Sequence, residues 1–139
     1  MNVFEDLNPL AQGIVRDLLA IYPHWEDSIS LRGVDDLEVV VPAPSGSNAG
    51  CLAVFTERGK DLWLRYDQPQ MCYALDDVVE MLSIIEQLLN DQTLFVRITE
   101  DEEWKGTTLI RPGMEPPFEP GQVAQIVSWS SKYDRGVHG

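Results

Sequence analysis

The sequence predicts an α+β fold in which two amphipathic helices pack on a mainly antiparallel sheet. The predicted elements follow the order helix, strands, helix, strands, without the alternation of strand and helix that builds a parallel sheet. Of the 139 residues, 44% are hydrophobic and 24% are charged, which is typical of a globular chain. Because a domain of this size buries roughly two-thirds of its unfolded surface, we expect residues 1–139 to form a single domain.

The first helix is predicted to begin at Asn8 and Pro9 and to end at Pro23. Asparagine is a favoured capping residue, and proline suits the first helical position because an N–H would have no partner there. Apolar residues recur along the segment at spacings of three and four, which indicates one buried face. These residues are Ala11, Ile14, Val15, Leu18 and Tyr22.

Four short strands are predicted between the two helices. Residues 28–32 and 37–41 have strand character and are separated by a turn. Residues 51–56 and 61–66 flank a short polar turn, which predicts an antiparallel hairpin. Residues 42–50 are rich in proline, glycine and serine, and they are predicted to form a flexible loop between strands.

The second helix is predicted to begin at Asp76 or Asp77, since either aspartate can accept hydrogen bonds from the first amides of a helix. Helical spacing then indicates a broad buried face, and Val79 and Ile84 are expected to widen it. The residues of that face are Val78, Met81, Leu82, Ile85, Leu88 and Leu89.

The rest of the chain predicts a second hairpin and one further element. Residues 94–99 and 104–110 have strand character and flank the acidic turn 100–103. Four prolines make residues 112–120 irregular. Residues 123–130 are predicted to form a final strand, or a short helix if its glutamines face water.

Charge is the unusual bulk property of the chain. Its 23 acidic and 10 basic residues give a formal net charge of -13 and a sequence pI of about 4.3. Such a surface repels phosphate backbones and anionic lipids, so we expect a basic protein partner and neither a nucleic acid nor a membrane. The first residues lack the basic and apolar regions of a secretory signal, so a cytoplasmic location is expected.

Recognisable catalytic motifs are missing from the sequence, including the nucleophile elbow, the phosphate loop, zinc-finger spacing and HExxH. We therefore predict no catalytic residue, no metal site and no cofactor. His24 and His138 are expected at a helix end and near a fraying terminus. Cys51 and Cys72 are predicted to be reduced, buried packing residues, because their neighbours are apolar and no export signal precedes them.

Candidate partner-binding residues concentrate in one part of the chain. Residues 76–103 include nine acidic side chains and one basic side chain, and clustered like charge favours a partner of opposite sign because it repels itself. The alternative is a solvated helix face and a polar turn. Aromatic anchors are expected at Trp104, and at Trp129 with Tyr133. The predicted binding residues are Asp76, Asp77, Glu80, Glu100, Asp101, Glu102, Glu103 and Trp104, with Gln68 and Gln70 from the loop before the second helix.

The succession of segments in the middle of the chain resembles a known class of proteins. Residues 61–67 read Asp-Leu-Trp-Leu-Arg-Tyr-Asp and are followed by Pro69, Tyr73, the acidic-capped helix, and the segments 94–96 and 104–109. This order, over roughly residues 50–111, is similar to small bacterial immunity proteins that accompany polymorphic or contact-dependent growth-inhibition toxins. The resemblance implies a non-catalytic inhibitor that binds a cognate toxin domain inside the producing cell. It fits the acidic charge, because a nuclease toxin needs a basic surface to hold nucleic acid.

Two other interpretations stay open. An acidic adaptor or secretion chaperone would bind an effector protein in place of a toxin. A small enzyme would use carboxylates, which can act as general acid and general base when their surroundings differ.

Overall fold

The computed structural model describes residues 3–68 and 70–138. Within these residues there are two α-helices, α1 (Pro9–Ile21) and α2 (Val78–Leu89), and two short 3-10 helices, Phe4–Asp6 and Pro23–Ser28. The strands are β1 (Ile29–Arg32), β2 (Asp36–Pro42), β3 (Cys51–Glu57), β4 (Asp61–Tyr66), β5 (Cys72–Leu75), β6 (Leu94–Glu100), β7 (Glu103–Ile110), β8 (Gln122–Val127) and β9 (Arg135–His138).

The strands form two antiparallel sheets. The five-stranded sheet has the order β1-β2-β3-β4-β5, and the four-stranded sheet has the order β7-β6-β8-β9. The predicted α+β class is confirmed, as are the two predicted hairpins, β3-β4 and β6-β7. Residues 123–130, predicted as a strand or a short helix, contain most of strand β8.

Helix α1 has the predicted start, and four of the five residues predicted for its buried face are buried, but it ends at Ile21 and not at Pro23. The Asn8 side chain accepts a hydrogen bond from the Ala11 N–H at 2.9 Å, as a capping residue does. Tyr22 follows the helix and stacks on Trp25, with ring centroids 4.1 Å apart. The buried residues of the helix are Ala11, Ile14, Val15 and Leu18.

Helix α2 begins after Asp77, whose Oδ1 accepts from the Glu80 N–H at 2.8 Å. Its fully buried residues are Met81, Ile85 and Leu88. Val79, which was predicted to widen this face, is instead 78% exposed. At about 100° per residue, Val79 lies about 120° around the helix from Ile85 and so points away from the core.

Two hydrophobic cores follow from these elements. Both helices pack on one side of the five-stranded sheet, and Phe95 and Val127 join the same larger core from the four-stranded sheet. Val96, next to Phe95, points the other way, into a smaller core that Phe118 and Tyr133 cover. The first three residues of β6, Leu94 to Val96, are therefore all apolar and buried, because both faces of the strand are covered there.

The loop at residues 42–50, predicted to be flexible, is held by hydrogen bonds to the segment after β8. The Ser47 hydroxyl donates to the Trp129 carbonyl at 2.7 Å. The Asn48 side chain donates to Asp134 Oδ2 at 2.8 Å, and the Asn48 N–H donates to Ser131 Oγ at 2.9 Å. Among the described residues, no helix is long and apolar enough to cross a membrane.

Candidate protein-binding surface

The acidic turn between β6 and β7 is a tight two-residue connection. Asp101 and Glu102 both have positive φ, 51° and 66°, as the central residues of a type I′ turn require. Glu103 forms an ion pair with Lys105, with 3.5 Å between Oε2 and Nζ, and both residues are exposed. Because these charges are solvated, they contribute little to stability and are accessible to a partner.

Trp104 lies next to this turn and is 45% exposed. A bulge in β7 places Lys105 between the paired positions Trp104 and Gly106, which face Thr99 and Ile98 of β6. The indole Nε1 donates to Thr107 Oγ1 at 3.1 Å. The indole is thus fixed in an exposed position before any partner arrives.

The loop between β4 and β5 meets β7 at the same place. Thr107 Oγ1 donates to the Gln70 carbonyl at 2.5 Å, so a relay of hydrogen bonds links Trp104, Thr107 and Gln70. Gln70 has a positive φ of 63°, and the next residue, Met71, is 1% exposed and anchors the loop in the core. Gln68 points elsewhere, because its side chain donates to the Asn48 carbonyl. Pro69 lies outside the described residues.

The acidic residues at the start of α2 have local structural partners. Asp77 caps the helix, and Glu80 Oε1 accepts from the Asp76 N–H at 3.1 Å, one residue before the N–H that a capping box would use. Asp76 and Asp77 are exposed, Glu80 is half-buried, and the exposed Val79 lies among them. These carboxylates also stabilise the positive end of the helix dipole.

Strand β5 leads from the Gln70 loop to the start of α2 and is in contact with β7. Asp76 lies six positions after Gln70, so the start of α2 lies within about 20 Å of the relay. A standard protein interface covers about 800 Å² on each partner, which spans such a distance. The turn, Trp104, Gln70 and the start of α2 can therefore contact one partner.

The chain was compared with protein-family models, with curated proteins and with solved structures. None of them matches. Two residues of this surface, Thr107 and Val79, were not among the predicted ones. Thr107 contacts Gln70, which is distant in the chain, and no pattern in the neighbouring sequence indicates that contact. Val79 could have been found, because it is an apolar residue out of phase with the buried face of α2.

Trp129 was predicted as an exposed anchor, and this prediction is wrong. Trp129 is 8% exposed and its ring lies 5.9 Å from that of Tyr66, inside the larger core. Tyr133, predicted with it, is half-buried and packs against the smaller core. Both aromatic side chains serve packing, because the segment after β8 folds back on the sheets.

The two cysteines are free and half-buried. They lie on β3 and β5 with β4 between them and are offset by two residues along the strands, so their Cα atoms are about 12 Å apart, too far for a disulfide bond. Burial raises the pKa of both thiols. Within residues 3–68 and 70–138, no group of three or more His, Cys, Asp or Glu side chains could hold a metal ion.

Proposed function

We propose that the protein is an immunity protein, a stoichiometric inhibitor that binds a basic toxin domain in the cytoplasm of the cell that produces both. The observation that carries the proposal is the exposed Trp104 indole, held by a hydrogen bond to Thr107 beside an acidic turn. An aromatic anchor with charge around it is the combination that tight and rapidly formed complexes use.

The inhibition would work by occlusion. The acidic turn attracts a basic surface and raises the association rate. Trp104 then slows dissociation, since the hydrogen bond to Thr107 already restricts the indole and little freedom is lost on binding. A toxin whose basic surface holds nucleic acid cannot reach its substrate while that surface is covered.

The experiment is a titration of the purified protein against the toxin domain encoded by the neighbouring gene, with toxin activity as the readout. Activity should be lost at one equivalent of the protein. Binding without loss of activity would indicate an adaptor or a secretion chaperone in place of an inhibitor. Absence of binding would contradict the proposal.

The Trp104→Ala variant tests the anchor. Loss of a hot-spot residue costs at least about 2 kcal/mol of binding, so the dissociation rate should rise by about 30-fold or more. Met114→Ala is the matched control, because Met114 is 49% exposed and lies beyond the opposite end of β7. Both rates are measured by surface plasmon resonance, and equal dissociation rates would place the interface elsewhere.

A further inference from the structure

Two cavities open beyond the end of strand β7, and they share a wall. The first cavity has a volume of about 250 Å³ and lies against the smaller hydrophobic core. The second cavity, of about 270 Å³, lies between the end of β7 and α2. Ile110 and Met114 line both cavities, and Met114 is 49% exposed. Because a methionine side chain is unbranched and flexible, one ligand can pass Met114 and occupy both cavities.

Apolar side chains form a large part of both walls. The polar side chains in the wall of the second cavity already have partners, because Thr93 Oγ1 donates to Gln87 Oε1 at 2.6 Å and Gln87 Nε2 donates to Ser83 Oγ at 3.0 Å. An alkyl chain can fill this space, since it needs no hydrogen-bond partner. Joined, the cavities reach the size of small-molecule sites, which begins at roughly 300 Å³. The apolar and aromatic side chains besides Met114 are Ile84, Leu94, Leu109, Ile110, Ile126 and Tyr133.

Basic side chains surround these cavities, although the chain as a whole is acidic. Lys132 and Arg135 line the first cavity, and Arg111 lines the second. Of the described residues in the two walls, only Asp134 carries a carboxylate. Both of its oxygens already accept hydrogen bonds from the backbone and side chains of other residues. The cavities are therefore a locally positive site on a chain whose net charge is -13.

Lys132 and Arg135 can hold an anion at the first cavity. In the described part of the chain Lys132 forms no ion pair, and its Nζ lies 5.3 Å from the Tyr133 ring centroid. Arg135 Nη2 lies 3.8 Å from Glu115 Oε1, but both side chains are exposed, and such a pair contributes little to stability. A carboxylate can therefore bind to both cations without breaking a strong contact.

We infer that these cavities bind a small monocarboxylate with an apolar chain, of the fatty-acid class. The carboxylate binds between Lys132 and Arg135, and the chain passes Met114 into the second cavity. A single negative charge is favoured over several, because the net charge of -13 repels polyanions such as nucleotides. The site lies at the opposite end of β7 from Trp104, so it does not depend on toxin binding.

Calorimetric titration with decanoate tests the class of ligand. One decanoate should bind per chain, and decanol should bind at least about tenfold more weakly, because it has the same chain but no charge. Decylammonium is a stringent control, since a chain of net charge -13 attracts cations overall. Absence of decanoate binding, or equally tight binding of decylammonium, would overturn the inference. Tighter binding of the peptide acetyl-Leu-Glu-Leu-amide would also overturn it, in favour of an acidic protein segment.

Thermal melts distinguish a specific site from the action of a surfactant. A ligand that binds only the folded chain raises the melting temperature, whereas a surfactant that binds the unfolded chain lowers it. The melting temperature should therefore rise as decanoate is added below its micelle-forming concentration. A fall in the melting temperature would overturn the inference.

Lys132→Gln tests the contact with the carboxylate. The dissociation constant of decanoate should rise about tenfold, because the variant removes one of the two cations that hold the carboxylate. Lys60→Gln, at an exposed position in the turn between β3 and β4, changes the net charge equally and should leave the dissociation constant unchanged. Decanol should bind equally to both variants and to the wild type. Unchanged decanoate binding in Lys132→Gln would overturn the inference.

Met114→Glu tests the path of the apolar chain. Met114 is 49% exposed, so the variant should fold, but it places a carboxylate at the shared wall where the chain passes. The dissociation constants of decanoate and decanol should both rise at least about tenfold, since the chain would desolvate that carboxylate. Val34→Glu adds the same charge at a position that is 91% exposed, in the turn between β1 and β2, and should change neither constant. Unchanged binding in Met114→Glu would overturn the inference.

Discussion

The carboxylate of Asp36 accepts hydrogen bonds from three parts of the chain. Its Oδ1 accepts from the Asn8 side chain, the Thr56 hydroxyl and the Gly59 N–H at 2.8 to 3.0 Å, and its Oδ2 accepts from the Arg58 N–H at 2.9 Å. Burial acts to raise the pKa of Asp36, but these hydrogen bonds outweigh it and hold the pKa below its ordinary value. The side chain thus fixes the start of α1 against β3 and the turn after it.

Asp36→Asn should destabilise the fold by about 1–3 kcal/mol. The amide of asparagine replaces one acceptor oxygen by a donor, and both oxygens of Asp36 face donors, so an unsatisfied contact remains in either orientation. Urea unfolding monitored by circular dichroism measures the difference. Asp35→Asn is the control, because the Asp35 residue is exposed, and its effect should be small.

The contribution of Asp36 to stability depends on pH, and the direction of that dependence follows from its lowered pKa. Its folded pKa is lower than the unfolded value, so the stabilisation is fully present above the unfolded pKa and is lost as the pH falls through the folded pKa. Below pH 3.8, the ordinary value, the free energy of unfolding of the wild type should approach that of Asp36→Asn. Parallel pH profiles for the two proteins would show that Asp36 is not responsible.

At the scale of single elements, α2 provides the clearest stability prediction. Ile85 is 0% exposed, so Ile85→Ala should cost about 2–5 kcal/mol through lost burial and a residual cavity. Val79→Ala removes methyl groups from the same helix at a position that is 78% exposed, and should change stability by less than about 0.5 kcal/mol. Equal effects in denaturant melts would mean that the helix presents another face to the core.

Elements with local signals were predicted, and elements that depend on distant pairing were not. The cap and proline of α1, the Asp77 cap of α2 and the short turns of the hairpins are all encoded within a few residues. Strand β5 has four residues and is defined by its pairing with β4, and β9 is defined by its pairing with β8. The division into two sheets is equally non-local, because α2 carries the chain from one sheet to the other.

The same distinction applies to the candidate site. The acidic turn and Trp104 could be predicted because charge and aromatic type are visible in the sequence. The relay through Thr107 to Gln70 could not, since it joins a strand of the four-stranded sheet to a loop of the five-stranded sheet, 37 positions apart in the chain. The capping role of Glu80 is local, and the spacing from Asp77 to Glu80 already fits a helix cap.

For the molecule as a whole, the distribution of charge affects the rate at which it associates with a charged partner. The acidic turn and the start of α2 both contribute to the negative electrostatic potential of a chain whose net charge is -13. Such a field acts on the association rate more than on the dissociation rate, whereas an exposed aromatic anchor such as Trp104, which a partner would bury, acts mainly on dissociation. The two contributions can therefore be separated by measuring both rates.

Reversing Glu100, Asp101, Glu102 and Glu103 to lysine should slow association with a basic toxin domain at least about tenfold and leave the melting temperature nearly unchanged, because these charges are largely solvated. The Debye length is about 8 Å at physiological ionic strength, so rising salt should slow the wild type and affect the variant much less. The matched control reverses four exposed acidic residues elsewhere, Glu5, Asp6, Asp17 and Asp27, and changes the net charge equally. Stopped-flow association rates over a salt series compare the three proteins. If both reversals slow association equally, net charge alone steers the partner and the acidic turn has no special role.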